Sequence, residues 1–342
     1  MKRKLRVAVL LHPSLVPPET LDGLSEQQWY ECKTEYDVVS TLRELGHDVR
    51  VLPISDELDS LRALIGGWKP HIAWNLLEEF HGRQDLDWPI AGFLDLMQLP
   101  YSGCGPRGLM LARDKAMSKK LLAYDGIRVP RFAVFPIGRR VERPRDLAFP
   151  LIVKSLVQEA SLGISQKSIV DSDEKLRERV AFIHRNNRSD AIAEQYIAGR
   201  ELNVGILGNT KFEVLPVWEL QFREMAPGAR WIATANVKHN RAYQRKHSIY
   251  QGHADDLSEE LREHIVRTTK EIARILDLDG FSRIDYRLDA NGNLYFLEAN
   301  PNPDVARTEE FASAARKAGI AYPDLIRKIL DLGMRRASRL SS

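Results

Sequence analysis

Cysteine is scarce: Cys32 and Cys104 are the only two in the chain, too few and too isolated for a disulfide framework or a zinc knuckle. That usage fits a reducing compartment, and the expected location is the cytoplasm. Long apolar runs are missing as well. The basic start, Lys2 to Lys4, is followed only by Val7-Ala8-Val9-Leu10-Leu11 before His12-Pro13, far short of a spanning helix or the apolar core of a signal peptide. No membrane partner is expected. With 50 basic and 47 acidic side chains the net charge is only +3, which gives no reason to expect nucleic acid as a partner, so any anion site has to be local. Tandem repeats and low-complexity tracts are absent. So is the Walker A pattern GxxxxGK[ST], and a phosphate would have to be held by another device.

What is present is an ordinary globular balance, 44% hydrophobic and 28% charged over 342 residues. Such a chain divides into two or three packed units, because single cores rarely grow beyond roughly 250–300 residues. From Arg6 to Tyr101 short apolar runs (7–11, 49–52 and 72–74) alternate with helical stretches such as Val38, Val39, Leu42 and Leu45, closed by Gly46. Alternating β and α predicts a parallel sheet. Open parallel sheets bind ligands beyond the carboxyl ends of their strands, which singles out Leu11-His12-Pro13-Ser14 and residues 75–82. Gly103-Cys104-Gly105-Pro106-Arg107-Gly108 fits GxGxxG, yet it follows Pro100 rather than a clean strand, and a turn is the better reading.

A second unit begins near Asp114, the expected cap of a helix over 115–123. Residues 150–154 make a compact strand, Ala160-Ser161-Leu162-Gly163 follow, and a short strand is expected over 168–170. After a helix over 174–186, strands over 192–197, 202–207 and 212–217 imply an antiparallel meander. Residues 222–253 are rich in Arg, Lys and His without periodicity, too long for a passive connection. Asp256 with Glu259 opens an amphipathic helix to Leu276. Helices over 308–317 and 323–334 read as packing elements.

Strands over 281–288 and 294–300 flank Asn291-Gly292 and should form an antiparallel hairpin. Period-two geometry puts Arg283 and Asp285 on one face of the first strand, and Glu298 and Asn300 on one face of the second. With a loop over 290–293, residues 289 and 294 pair and Asp285 falls opposite Glu298. Like charges so opposed are destabilising, and a divalent cation with oxygen ligands is the usual remedy; Asn300 adds a third oxygen. The alternative is a solvated hairpin in a register one residue away. Lys115, Lys154 and Lys238 are candidate phosphate cations. Lys154 is the most telling of them, since it ends an apolar strand where a buried charge needs a partner.

In this order the segments resemble the ATP-grasp superfamily, most closely the D-alanine:D-alanine ligase family. Glu79-Phe80-His81-Gly82 and Leu99-Pro100-Tyr101-Ser102-Gly103 look like that family's HG and PYTG segments, and Arg113-Asp114-Lys115 like its nucleotide-contacting DK. Gln158-Glu159-Ala160-Ser161-Leu162-Gly163-Ile164 is similar to its mobile loop over ATP, Glu194-Gln195-Tyr196-Ile197 to its adenine hinge, and residues 281–303 to its metal hairpin. The resemblance implies an α/β, ATP-grasp fold with an amino-terminal Rossmann-like (pre-ATP-grasp) parallel sheet domain over 1–105. A central subdomain with the mobile phosphate loop would span 106–190, and a carboxy-terminal subdomain with the metal hairpin 191–342.

The same resemblance implies ATP with Mg²⁺, or Mn²⁺ in its place, a small-molecule carboxylate and an amine as substrates, and a homodimer. Lys115, Lys154, Ser161, Gly163, Glu194, Tyr196, Ile197 and Glu201 would bind nucleotide, and Asp285, Glu298 and Asn300 the metal. Lys238 would neutralise phosphate. Arg283 would stabilise an oxyanion, with a plain ion pair to Glu298 or Asp285 as its other reading, and His81 would touch the first substrate. The expected reaction is ADP-forming amide synthesis through an acyl phosphate. Departures from the family fall on the substrate side. Its GGxSxE segment is absent, Gln84-Asp85-Leu86-Asp87 replaces an acidic GEDG stretch, and Asp304 stands where it would repel a carboxylate on the second substrate. Amino-acid attachment to a small natural-product acid is therefore one alternative, and a non-catalytic ATP sensor another.

Overall fold

The computed structural model describes residues 4–158, 164–222, 232, 237 and 241–340. Among them the strands form three sheets. The first is parallel, in the order β2-β1-β3, from β1 (Arg6–Leu11), β2 (Asp48–Pro53) and β3 (Ile72–Asn75). The apolar runs explain it: every residue from Val7 to Leu11 is buried, as a central strand covered on both faces requires. Helices α1 (Glu26–Glu44), α2 (Asp59–Trp68) and α3 (Asp87–Leu96) accompany these strands. α1 begins well before the periodic stretch that predicts it, because Ser25 and Gln28 form a capping box in which Ser25 Oγ accepts from the Gln28 amide and Gln28 Oε1 from the Ser25 amide.

Gly103 to Gly108 is a turn into α4 (Pro106–Arg113), and it is packed against protein rather than held open for a dinucleotide. The Cys104 amide donates to Asn302 Oδ1 at 2.7 Å and the Gly105 amide to Asp279 Oδ1 at 2.7 Å. Gly103 has φ +88°, and a Cβ there would lie 2.2 Å from Asn302 Oδ1, so only glycine fits.

α5 (Lys115–Tyr124) starts where expected, with Asp114 accepting from the Ala116 and Met117 amides. The second sheet, in the order β4-β7-β5-β6, is antiparallel and built from β4 (Phe132–Phe135), β5 (Leu151–Ser155), β6 (Ile169–Val170) and β7 (Ala191–Gln195), with α6 (Asp173–Asn187) on it. The third has the order β11-β10-β8-β12-β13. It comprises β8 (Arg200–Leu207), β9 (Glu213–Val214, paired to β8), β10 (Trp218–Phe222), β11 (Ile249–His253), β12 (Phe281–Leu288) and β13 (Leu294–Pro301). Helices α7 (Arg241–Lys246), α8 (Glu259–Ile275), α9 (Glu310–Lys317) and α10 (Tyr322–Leu340) complete the described chain.

The expected meander is not there. β7 and β8 lie in different sheets, because Gly199 between them adopts φ +146° and turns the chain from one sheet to the other. Of the strand expected over 212–217 only Glu213–Val214 is formed. α8 is capped by Ser258, whose side chain accepts from the Leu261 amide, and not by Asp256, which is engaged by Arg200 at 2.6 Å. Part of the aperiodic stretch over 222–253 is regular after all: β11 is the partner of β10. Among the described residues no helix is long and apolar enough to cross a membrane.

The largest core joins one face of the first sheet to α8 and to the inner face of β12–β13, where Tyr286 is fully buried and its hydroxyl lies 2.8 Å from Thr269 Oγ1. A second packs α1, α9 and α10 on the other face of the first sheet, and a third closes the small sheet under α6. Rigid cores of this kind hold the two antiparallel sheets on either side of one cleft.

Candidate active site

The cleft opens between the small sheet and the β8–β12–β13 face. Lys115, Lys154, Glu194, Tyr196, Ile197, Glu201, Asp285 and Glu298 all line it. These eight come from α5, β5, the end of β7, β8, β12 and β13, so no local stretch of chain makes the site.

At the hairpin, Asp285 pairs with Glu298 and Arg283 with Asn300. The expected pairing is therefore present, but the route to it is different. Leu288, not Asp289, pairs with Leu294, and Tyr286 pairs with Phe296. Asp289 belongs to the turn, where its carboxylate accepts from the amides of Asn291 (2.9 Å) and Asn293 (2.8 Å). This shifts the ladder by one residue, and a β-bulge at Leu297, between the pairs Tyr286–Phe296 and Asp285–Glu298, shifts it back.

The donors gathered here are two carboxylates and an amide, the oxygen set that suits a hard cation such as Mg²⁺, and opposed carboxylates are tolerable with a cation between them. Glu298 Oε2 lies 3.9 Å from Lys115 Nζ. Asp285 meets the Arg283 guanidinium at 2.7 and 2.9 Å and Asn300 Nδ2 at 3.1 Å. Among the described residues no three of His, Cys, Asp and Glu converge enough to hold a metal. A cation held here would thus share its shell with ligand oxygens and water, which is the habit of Mg²⁺. The residues present fit the ion.

Behind the cleft lies a buried charge triad. Glu194, 1% exposed, has its Oε1 3.1 Å from Lys154 Nζ and 3.1 Å from Lys119 Nζ. Burial raises the Glu194 pKa, but the two lysines outweigh it and hold the carboxyl below the usual range. Burial likewise pulls Lys154 down, and Glu194, Glu298 and Glu201 more than reverse that, so it stands above the ordinary lysine value. Lys119, completely buried, is pushed down to about 8 by desolvation against the pull of Glu194. In the cleft wall the Glu194 carboxylate is thus held between two lysines. Its neighbours Tyr196 and Ile197 form part of the wall, with the Tyr196 amide tied to the Pro150 carbonyl at 3.0 Å.

Glu201 accepts from Arg287 Nη2 at 2.6 Å, directly across the β8–β12 pairing. Lys115 Nζ donates to the Gln158 carbonyl at 2.7 Å, at the threshold of residues 159–163. Ser161, Gly163 and Lys238, expected to touch the nucleotide, lie outside the described residues. Arg283 does not reach the cleft wall. Its guanidinium is an ion-pair partner of Asp285 on its own strand and of Glu310 at 3.3 Å. His81 is not in the cleft either. It sits on the loop after β3 with φ +55°, its amide donating to the Ser55 carbonyl and its ring 4.6 Å from that of Phe80. The two loops expected at the end of the first sheet do meet, His12 Nε2 lying 3.7 Å from Glu79 Oε1.

Sequence reasoning passed over Lys119 and Arg287. Each had a signal: Lys119 is one helical turn beyond Lys115, and Arg287 continues the face of Arg283 and Asp285.

The family described as D-ala D-ala ligase C-terminus matches residues 121–331. The uncharacterized protein y4sG of Sinorhizobium fredii is 31% identical over 91% of this chain and 90% of its own length. A D-alanine--D-alanine ligase of Pelotomaculum thermopropionicum is 29% identical over 74% of this chain and 78% of its own. The crystal structure of the D-alanine--D-alanine ligase from Bacillus anthracis complexed with ATP superposes with a TM-score of 0.75 at 21% identity, covering 98% of this chain and 99% of that one. The fold is thus shared with that ligase.

Proposed function

The chain belongs to the D-alanine–D-alanine ligase family of ATP-dependent ligases, and from that premise we propose that it uses ATP to join a small carboxylic acid to an amine, releasing ADP and phosphate. The observation that carries this reading is the pairing of Asp285 with Glu298 in the wall of a cleft that also presents Lys115 and Lys154.

In this proposal a substrate carboxylate oxygen attacks the γ-phosphorus, the bond to the β–γ bridging oxygen breaks, and ADP leaves. The amine nitrogen then attacks the acyl carbon, phosphate departs, and the nitrogen loses a proton. Lys115, Lys154 and Lys238 neutralise phosphate oxygens, and Glu194 fixes Lys154 in place. Tyr196 and Ile197 pack on the adenine, Glu201 takes the ribose, and Ser161 and Gly163 let the loop over 159–163 approach the phosphates. A Mg²⁺ ion held by Asp285, Glu298 and Asn300 would supply charge neutralisation at the transferring phosphoryl group. Arg283 stabilises the oxyanion once it turns from Asp285, and His81 contacts the first substrate. The division into 1–105, 106–190 and 191–342 and a homodimer belong to the same proposal.

A second reading of the substrate pair is favoured by Asp304. This residue accepts a hydrogen bond from Thr34 at 2.6 Å and lies 3.9 Å from Lys33, and the family resemblance implies that its position is where the carboxylate of the second substrate docks. An acid other than D-alanine, or an amine without an adjacent carboxylate, suits that surface better. ADP release measured against a panel of D- and L-amino acids and small carboxylic acids tests both. Turnover with D-alanine alone sinks the second reading, and no substrate-dependent turnover at all sinks the ligase assignment in favour of an ATP sensor.

A further inference from the structure

We propose that Lys119 is a positioning residue that sets the register of the metal-binding hairpin. Along β13 the buried residues are Leu294 and Phe296, then Ala299 and Pro301, so the buried face changes parity once, at Leu297. Tyr286 pairs with Phe296 on the core side and Asp285 with Glu298 on the cleft side only because Leu297 is an extra residue. Without it Leu297 would stand opposite Asp285, and Glu298 would fall on the Phe296 face, in the core.

A bulge leaves the carbonyl of its extra residue out of the ladder, and a carbonyl at such depth needs another donor. Lys119 is that donor: its Nζ bonds the Leu297 carbonyl. The side chain is 0% exposed, its ammonium lies 5.4 Å from the centre of the Phe296 ring, and Glu194 anchors it at 3.1 Å. One turn earlier on α5, Lys115 approaches Glu298. A single helix face thus touches both the bulge and the carboxylate that the bulge turns outward. Lys119 never meets a ligand; it acts through the direction of Glu298.

This inference rests on the reading of Asp285, Glu298 and Asn300 as metal ligands. The test is Mn²⁺ titration of the full chain in the presence of ADP, followed by electron paramagnetic resonance, for wild type, Lys119→Met, the double variant Lys119→Met/Glu194→Gln and Asp285→Asn. The double variant removes the carboxylate that the single change leaves short of a partner. Loss of a group that orients a metal ligand weakens binding about 10–100-fold, and that is the expected rise in the Mn²⁺ dissociation constant for both Lys119 variants, with metal-free ADP affinity changing far less in Lys119→Met. A folded Lys119 variant that binds Mn²⁺ as wild type does, while Asp285→Asn loses it, overturns the role of Lys119 alone. Wild-type Mn²⁺ affinity in Asp285→Asn overturns the metal reading and this inference with it.

Discussion

Glu194 Oε1 stands 3.1 Å from both Lys154 Nζ and Lys119 Nζ, on a side chain almost wholly shut off from water. One carboxylate therefore sets the positions of two ammonium groups, Lys154 in the cleft wall and Lys119 on the Leu297 carbonyl behind it. Removing one member of a buried charge group leaves the others uncompensated, at a cost of about 3–5 kcal/mol. Glu194→Gln is expected to lower the melting temperature and to weaken ATP binding together. Calorimetric titration with ATP beside thermal melting checks this, and a variant as stable as wild type would contradict it.

Asp285→Asn and Glu298→Gln each remove one oxygen anion while keeping shape. Substrate-dependent ADP release should fall by about 10²-fold or more, with the circular dichroism spectrum unchanged. Turnover at the wild-type rate in either variant is incompatible with the proposed site.

Glu35 is 6% exposed, and burial, aided by Asp304 and Glu78 and opposed by its own backbone amide and Lys33, pushes its pKa from 4.5 up to about 7. A raised carboxyl pKa means that the folded state binds the proton more tightly than the unfolded one. The stability this group contributes is complete below pH 4.5 and is lost as pH climbs through about 7. At 1.4 kcal/mol per unit the swing is roughly 3 kcal/mol. Glu35→Gln should thus melt higher than wild type at pH 8, with the gap closing toward pH 4.5, a difference that a gap independent of pH would refute.

Asp114 caps α5, accepting from the amides of Ala116 and Met117 at 2.9 and 2.8 Å. Asp114→Ala is expected to cost about 1 kcal/mol of stability and, by loosening the turn that carries Lys115, to raise the KM for ATP more than it lowers kcat. Urea unfolding and steady-state kinetics separate the two effects.

Much of this architecture was legible because it rests on local rules. The parallel sheet follows from apolar runs alternating with helical periods, the α5 start from the capping chemistry of Asp114, and the common face of Arg283 and Asp285 from the two-residue repeat of a strand. The family order of short motifs, from His81 to Pro303, pointed to the right fold. Where prediction failed, the deciding contact came from far along the chain. β7 and β8 look like consecutive strands of one meander, yet each pairs within a different sheet. The cations that meet Glu194 and Glu201 in the cleft wall, Lys119 and Lys154 for the first and Arg287 for the second, also come from distant elements.

The sequence by itself determined that two carboxylates and an amide lie on facing strands of one hairpin, since strand alternation is a property of neighbouring residues. Only the tertiary structure decided that they face each other toward the cleft. The turn at Asp289 puts the strands out of step by one residue, the bulge at Leu297 restores the step, and the group that bonds the bulge is a lysine 178 residues earlier in the chain. Register is settled by which face of the strand is buried, and burial of Phe296, Ala299 and Lys119 against the rest of the fold makes the choice.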